Sequence, residues 1–125
     1  MSLNNIIVMN RGDTYEFDLT INDDSSIDNM YHLQGDDVVY LGIMRPHQPF
    51  ETAIVRKRYT VEDLDEAGNL MITIEPEDTL DLLPGLYYYA IKLHMDHEEE
   101  FEDGSIVQID KVATVINKTK FMLCD

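Results

Sequence analysis

The chain has one cysteine, no tryptophan, four prolines and only nine basic residues among 125. Each shortage excludes something. With Cys124 alone, neither an intramolecular disulfide nor a cysteine-based zinc site can form, and folding in a reducing cytoplasm is expected. Without tryptophan, the flat indole platforms common in sugar-binding modules are missing. The nine basic residues face 25 acidic ones, for a formal net charge of -16. Such a surface repels nucleic-acid phosphates and anionic lipid, so neither nucleic acid nor membrane is an expected partner. It favours a cationic protein patch or a divalent ion, and an acidic mimic of DNA charge is one alternative reading. No apolar run is long enough to span a bilayer. The opening residues lack the basic region of a secretory signal. No Gly-x-Ser-x-Gly elbow occurs, and Gly35, Gly42, Gly68 and Gly85 stand too far apart for a phosphate-cradling loop. No repeat or linker tract divides the chain, so residues 1–125 read as one domain.

What is abundant is alternation. Tyr15, Phe17, Leu19 and Ile21 alternate with Glu16, Asp18 and Thr20, the pattern of a strand with one buried face. A short strand over 6–9 precedes it across the turn 10–13. Residues 38–44 are almost continuously apolar, as in a strand covered on both sides, and Pro46 and Pro49 end it. Strands follow over 53–61 and 70–75, separated by a polar turn at 63–69. Pro76 starts a helical turn with Leu80, Leu82 and Leu83 as its apolar face. Tyr87, Tyr89, Ile91, Leu93 and Met95 share one face of the strongest strand, 86–95, with Lys92 and His94 on the other. An acidic connection spans 96–104, and a last strand spans 105–116. The apolar positions of that strand change parity, which suggests a bulge near Asp110–Lys111. About seven short strands with almost no helix predict an all-β, antiparallel sandwich of immunoglobulin-like type. A tyrosine after the Pro84-Gly85 corner, Tyr87 or Tyr89, is placed to bond its hydroxyl back to the backbone.

Candidate chemistry is sparse. His94, Asp96 and His97, beside Glu98, Glu99 and Glu100, are the nearest approach to a transition-metal set. Sequence neighbours without a rigid supporting shell hold a metal weakly, so no metal and no cofactor is expected. The acidic stretches 23–28 and 96–103 supply hard oxygen ligands but lack the spacing and central glycine of an EF-hand loop. A calcium- or carbohydrate-binding sandwich is the second functional class carried forward. No nucleophile–base pair can be assembled, so an enzyme is not expected. Arg56-Lys57-Arg58 is the only basic cluster in the sequence. Its side chains alternate across a strand, Arg56 and Arg58 one way and Lys57 the other. These three read either as a strand salt-bridged to acidic neighbours or as the candidate partner-binding residues, a stripe suited to the acidic surface of another copy.

Three segments resemble one family. Met9-Asn10-Arg11-Gly12-Asp13-Thr14-Tyr15-Glu16-Phe17 is similar to the start of the N-terminal domain of phage baseplate upper proteins and related phage tail proteins. Gly68-Asn69-Leu70-Met71-Ile72-Thr73-Ile74 resembles that family's glycine-led alternating strand. Asp78-Thr79 followed by Pro84-Gly85-Leu86-Tyr87-Tyr88-Tyr89-Ala90-Ile91 resembles its tyrosine-rich strand. The resemblance runs from about residue 7 to 116. It implies a non-enzymatic virion or prophage structural protein, a homo-oligomer that docks on other phage structural proteins and passes from the cytoplasm into the tail. Family members continue into a fibre or receptor-binding region. This chain ends soon after its last expected strand, so subunit docking rather than receptor contact is the expectation.

Overall fold

The computed structural model describes residues 5–23 and 30–125. It is mostly β, with seven strands: β1 (Ile7–Asn10), β2 (Tyr15–Leu19), β3 (Val38–Met44), β4 (Val55–Tyr59), β5 (Leu70–Ile74), β6 (Gly85–Glu100) and β7 (Ile106–Cys124). The only α-helix among the described residues is the single turn α1 (Pro76–Thr79), and short 3-10 turns flank β4.

Two sheets face each other. One has the order β1-β7-β6-β3-β4, and the other pairs β2 with β5. The period-two pattern explains the packing. Leu19 from β2, and Leu70, Ile72 and Ile74 from β5, meet Val39, Leu41 and Ile43 from β3 and Tyr87, Tyr89, Ile91 and Leu93 from β6. Phe121 sits at the centre of this core, fully buried, edge-on to Tyr87 and Tyr89 with ring centroids 6.5 Å away in each case. The Tyr87 hydroxyl donates to the Leu83 carbonyl at 2.6 Å, four residues upstream, and the Tyr89 hydroxyl reaches the Asn5 carbonyl. The corner expected after Pro84-Gly85 therefore falls to Tyr87.

A second, smaller core lies on the outer face of the larger sheet. Met44, Ala53 and Ala90 are buried there under Phe50. Gly42 makes this possible, since a Cβ at that position would come within 2.9 Å of the Phe50 ring. Strand β3 is thus covered on both sides, as its unbroken apolar run predicts.

Five expectations change. The last strand, expected to stop at residue 116, continues to Cys124 because Phe121 and Leu123 are buried in the core. The larger sheet is mixed, because β1 runs parallel to β7, Ile7 opposite Phe121. Alternation reports which face is buried but not the direction of a neighbour. The expected acidic connection is instead strand, since β6 continues to Glu100 and only residues 101–105 turn. The bulges lie in β7 opposite Tyr89–Lys92, whereas Asp110 and Lys111 pair in plain register with Asp96 and Met95. Val112 changes the apolar parity because it lies exposed on the outer face, opposite His94. Finally, the leucines after Pro76 do not share one buried face: Leu82 packs against the core, but its neighbours do not. Leu80 and Leu83 are exposed, Leu83 to 77%, because the helix ends at Thr79. Thr79 is buried in their place and accepts a bond from the Gly12 amide at 2.9 Å.

Candidate functional site

Beyond His94, the last β6 residue paired with β3, the β6–β7 pair leaves the rest of the sheet behind. From Glu98 to Gln108 the two strands pair only with each other. The result is a projecting arm. Its turn is tightly held: the Phe101 amide donates to the Ser105 carbonyl and the Gly104 amide to the Phe101 carbonyl, both at 2.8 Å. The Asp103 carboxylate accepts from the amide and hydroxyl of Ser105. Among the described residues neither face of this ladder is covered, so the buried/exposed alternation that marks strands elsewhere has no reason to appear in its sequence. The arm is acidic along β6 and apolar near its tip, where Phe101, Ile106 and Val107 are exposed.

At the root of the arm lies a buried polar cluster. Asp37, just before β3, is fully buried and His97 is 5% exposed. The Asp37 carboxylate accepts from His97 Nδ1 at 2.8 Å, the Asp96 amide at 2.7 Å, the Gln34 amide at 3.1 Å and the Tyr31 hydroxyl. The other imidazole nitrogen, Nε2, faces Glu99 Oε1 at 3.1 Å. With a carboxylate at each nitrogen, the doubly protonated imidazolium satisfies both partners. Burial alone pushes the Asp37 carboxyl up, but its hydrogen bonds, led by Tyr31 and His97, hold it below the ordinary carboxylate value. Burial likewise lowers the His97 imidazole, but Asp37 and Glu99 outweigh it and raise it above its ordinary value. Burial first, then the Asp37 carboxylate, push the Tyr31 phenol up. The cluster joins the loop before β3 to the base of the arm, and sequence reading passed over Asp37. Its only signal was a charged residue abutting an apolar run, next to another aspartate of identical type.

Gly35 lets these elements meet. It adopts φ +58°, and a Cβ there would sit 2.8 Å from the His97 Cβ. Replacing Gly35 with Ala should destabilise the fold by about 1–2 kcal/mol from the left-handed backbone alone, and further from the clash. Urea denaturation of the variant checks this, and an unchanged midpoint would contradict the packing described.

The weak candidate metal set of His94, Asp96 and His97 does not converge. His97 points inward to Asp37, while His94 and Asp96 lie on the outer face. His94 Nε2 meets Asp110 at 2.6 Å and Asp96 accepts from Gln108 at 2.7 Å. Residues two apart share a face of a strand and residues three apart do not, which separates His94 from His97. Among the described residues no group of three or more His, Cys, Asp or Glu side chains is placed to hold a metal ion. Apart from Asp23, the acidic loop 23–28 lies outside the described residues.

The basic trio divides as alternation predicts. Lys57 turns inward and ties the two sheets together, its ammonium donating to the Thr73 carbonyl at 2.9 Å and to Asp78 at 2.8 Å. Burial lowers the Lys57 ammonium, but Asp78 outweighs it and raises the pKa. Arg56 and Arg58 are exposed on the outer face. There the register forms a cross-sheet row, Arg58, Tyr40, Lys92 and Thr114. Lys92 also lies 5.0 Å above the Phe50 ring. A groove of about 340 Å³ runs through this face, lined by Tyr40, Phe50, Arg56, Lys92, His94 and Val112 among others.

Comparisons with protein-family models, curated proteins and solved structures each return no match, so the site is read from its own geometry. Among the described residues no helix is long and apolar enough to cross a membrane.

Proposed function

We propose that this chain is a non-enzymatic assembly module of immunoglobulin-like type, working in a phage or prophage tail by docking on neighbouring structural subunits. The observation that carries this is the projecting β6–β7 arm. A hairpin that leaves both sheets and exposes Phe101, Ile106 and Val107 gains nothing for the core of its own chain. Apolar residues held on a preformed support are what a docking element needs. The outer edge of β7 adds to this: among the described residues no strand pairs with it between Ile106 and Lys120. Such an edge accepts an added strand, within limits set by the β7 bulges and by Lys111, Lys118 and Lys120.

Strand order supports the immunoglobulin-like reading. Strands β2 and β5 correspond to the B–E pair, and β7-β6-β3 with β4 correspond to the G-F-C sheet extended by C′. The Tyr87–Leu83 bond matches the corner before strand F. The state of the buried Asp37–His97 cluster supports a non-catalytic role, since both nitrogens of the enclosed His97 ring face carboxylates, the buried Asp37 and the partly exposed Glu99.

Shortening the arm tests this reading. Replacing residues 100–106 with Asn-Gly, a two-residue hairpin turn, removes Phe101 and Ile106 from the tip and keeps the Glu99–Val107 pair. The full chain is expected to bind structural proteins encoded beside it, read by light scattering of purified mixtures. The shortened chain should keep its melting temperature within a few degrees and lose binding at least tenfold. Equal binding by both chains, or a neighbourhood of metabolic rather than tail or capsid genes, would overturn the proposal.

A further inference from the structure

The outer groove and the arm tip are opposite in character, and the chain carries both. The register places Arg56, Arg58, Lys92 and Lys120 on the outer face of the larger sheet, four of the nine basic residues of the chain. In a molecule of net charge -16 this is a concentration of the scarce sign. Of the nearby acids, Asp110 is engaged by His94 and Asp96 by Gln108, while Glu51 at the Phe50 turn also lines the groove. Between the cations the floor is apolar, with Phe50, Tyr40 and Val112, the last 64% exposed. The tip has the complementary composition. Phe101, 49% exposed, stands between Glu100 and Glu102, with Asp103 one residue further on.

We infer that the arm tip of one copy docks in the outer groove of a second copy, Phe101 entering beside Phe50 and Val112 while Glu100 and Glu102 meet Arg56 and Lys92. Charge complementarity selects this groove for the tip: against almost any other part of the surface the acidic tip would meet like charge, whereas here it meets cations beside an apolar floor that takes Phe101. The tip's preset hydrogen bonds leave little ordering cost on binding. A tip cannot reach the groove of its own chain. Phe101 lies nine residues beyond Lys92 along a continuous strand, about 30 Å at roughly 3.3 Å per residue. The contact therefore joins two different surfaces: it closes as a twofold dimer where each copy's tip enters the other's groove, and builds a ring or a filament where it does not.

The inference rests on the assembly reading but fails separately from it. The test uses two full-length variants. Phe101→Ser with Glu102→Gln removes the knob and keeps the groove. Arg56→Glu with Val112→Glu spoils the groove and keeps the knob. All four positions are exposed, so melting temperatures should stay within a few degrees of the parent. By size-exclusion light scattering at low salt, the parent should form dimers or larger species as concentration rises. Each variant alone should stay monomeric, weakened at least tenfold. An equal mixture of the two should give a dimer and nothing larger, because only one competent knob–groove pair remains. Variants that associate like the parent, or a mixture that stays monomeric, would overturn the inference. A parent that is strictly monomeric yet binds neighbouring structural proteins through its arm would overturn it too, and would leave the assembly reading intact.

Discussion

Replacing Phe121 with Ala should lower the unfolding free energy by about 3–5 kcal/mol, among the largest losses for any single truncation in this chain. The side chain is fully enclosed, meets two tyrosine rings edge-on and lies opposite Ile7 at the β1–β7 seam. The loss combines transfer of a ring from water with the cavity left behind. That cavity cannot collapse easily, because the Tyr87 and Tyr89 hydroxyls are anchored to Leu83 and Asn5. Leu83→Ala is the matched control. At 77% exposure it should change stability by no more than about 0.5 kcal/mol. Equal midpoints for the two variants in urea would contradict the core as described.

Asp37→Ala should cost a similar amount, about 3–5 kcal/mol, for a different reason. It strands the His97 imidazole, the Tyr31 hydroxyl and two backbone amides in a buried site. The pH dependence identifies the cause. His97 is raised in the folded chain, so its stabilisation is complete below its unfolded value of about 6.5 and is lost as pH rises through the higher folded value. Asp37 is lowered, so its stabilisation is present above its unfolded value of about 3.9 and is lost as pH falls through the lower folded value. Both contributions are complete between roughly pH 4 and 6.5. The gap in stability between parent and His97→Gln should therefore be widest there and shrink above neutrality. A gap independent of pH would mean His97 is held neutral, without the imidazolium bridge between Asp37 and Glu99.

The core strands were legible because water lies on one side of each. Tyr15–Leu19, Leu70–Ile74 and the inner face of β6 write burial directly into alternating residues. The same logic explains what went unread. The arm has no covered face, so its acidic β6 half reads as a loop. Phe121 and Leu123 did alternate with Lys120 and Met122, a readable signal beyond the expected strand end at residue 116, and the β7 bulges broke the phase that would have connected them. Parallel pairing of β1 left no trace in residue type. Of the candidate residues, alternation correctly separated Lys57 from Arg56 and Arg58. It also contained the reason His94 and His97 part company, since positions three apart lie on opposite faces. The groove was out of reach, because it joins residues from β3, β4, β6, β7 and the Phe50 turn that only the register brings together.

Hydrogen exchange at single-amide resolution, on the free chain and on the chain bound to a neighbouring subunit, probes the docking role at its source. Amides across residues 98–108 should slow markedly once the complex forms. Slowing confined to other regions, with the arm exchanging as fast bound as free, would mean that this hairpin is not what holds the assembly together.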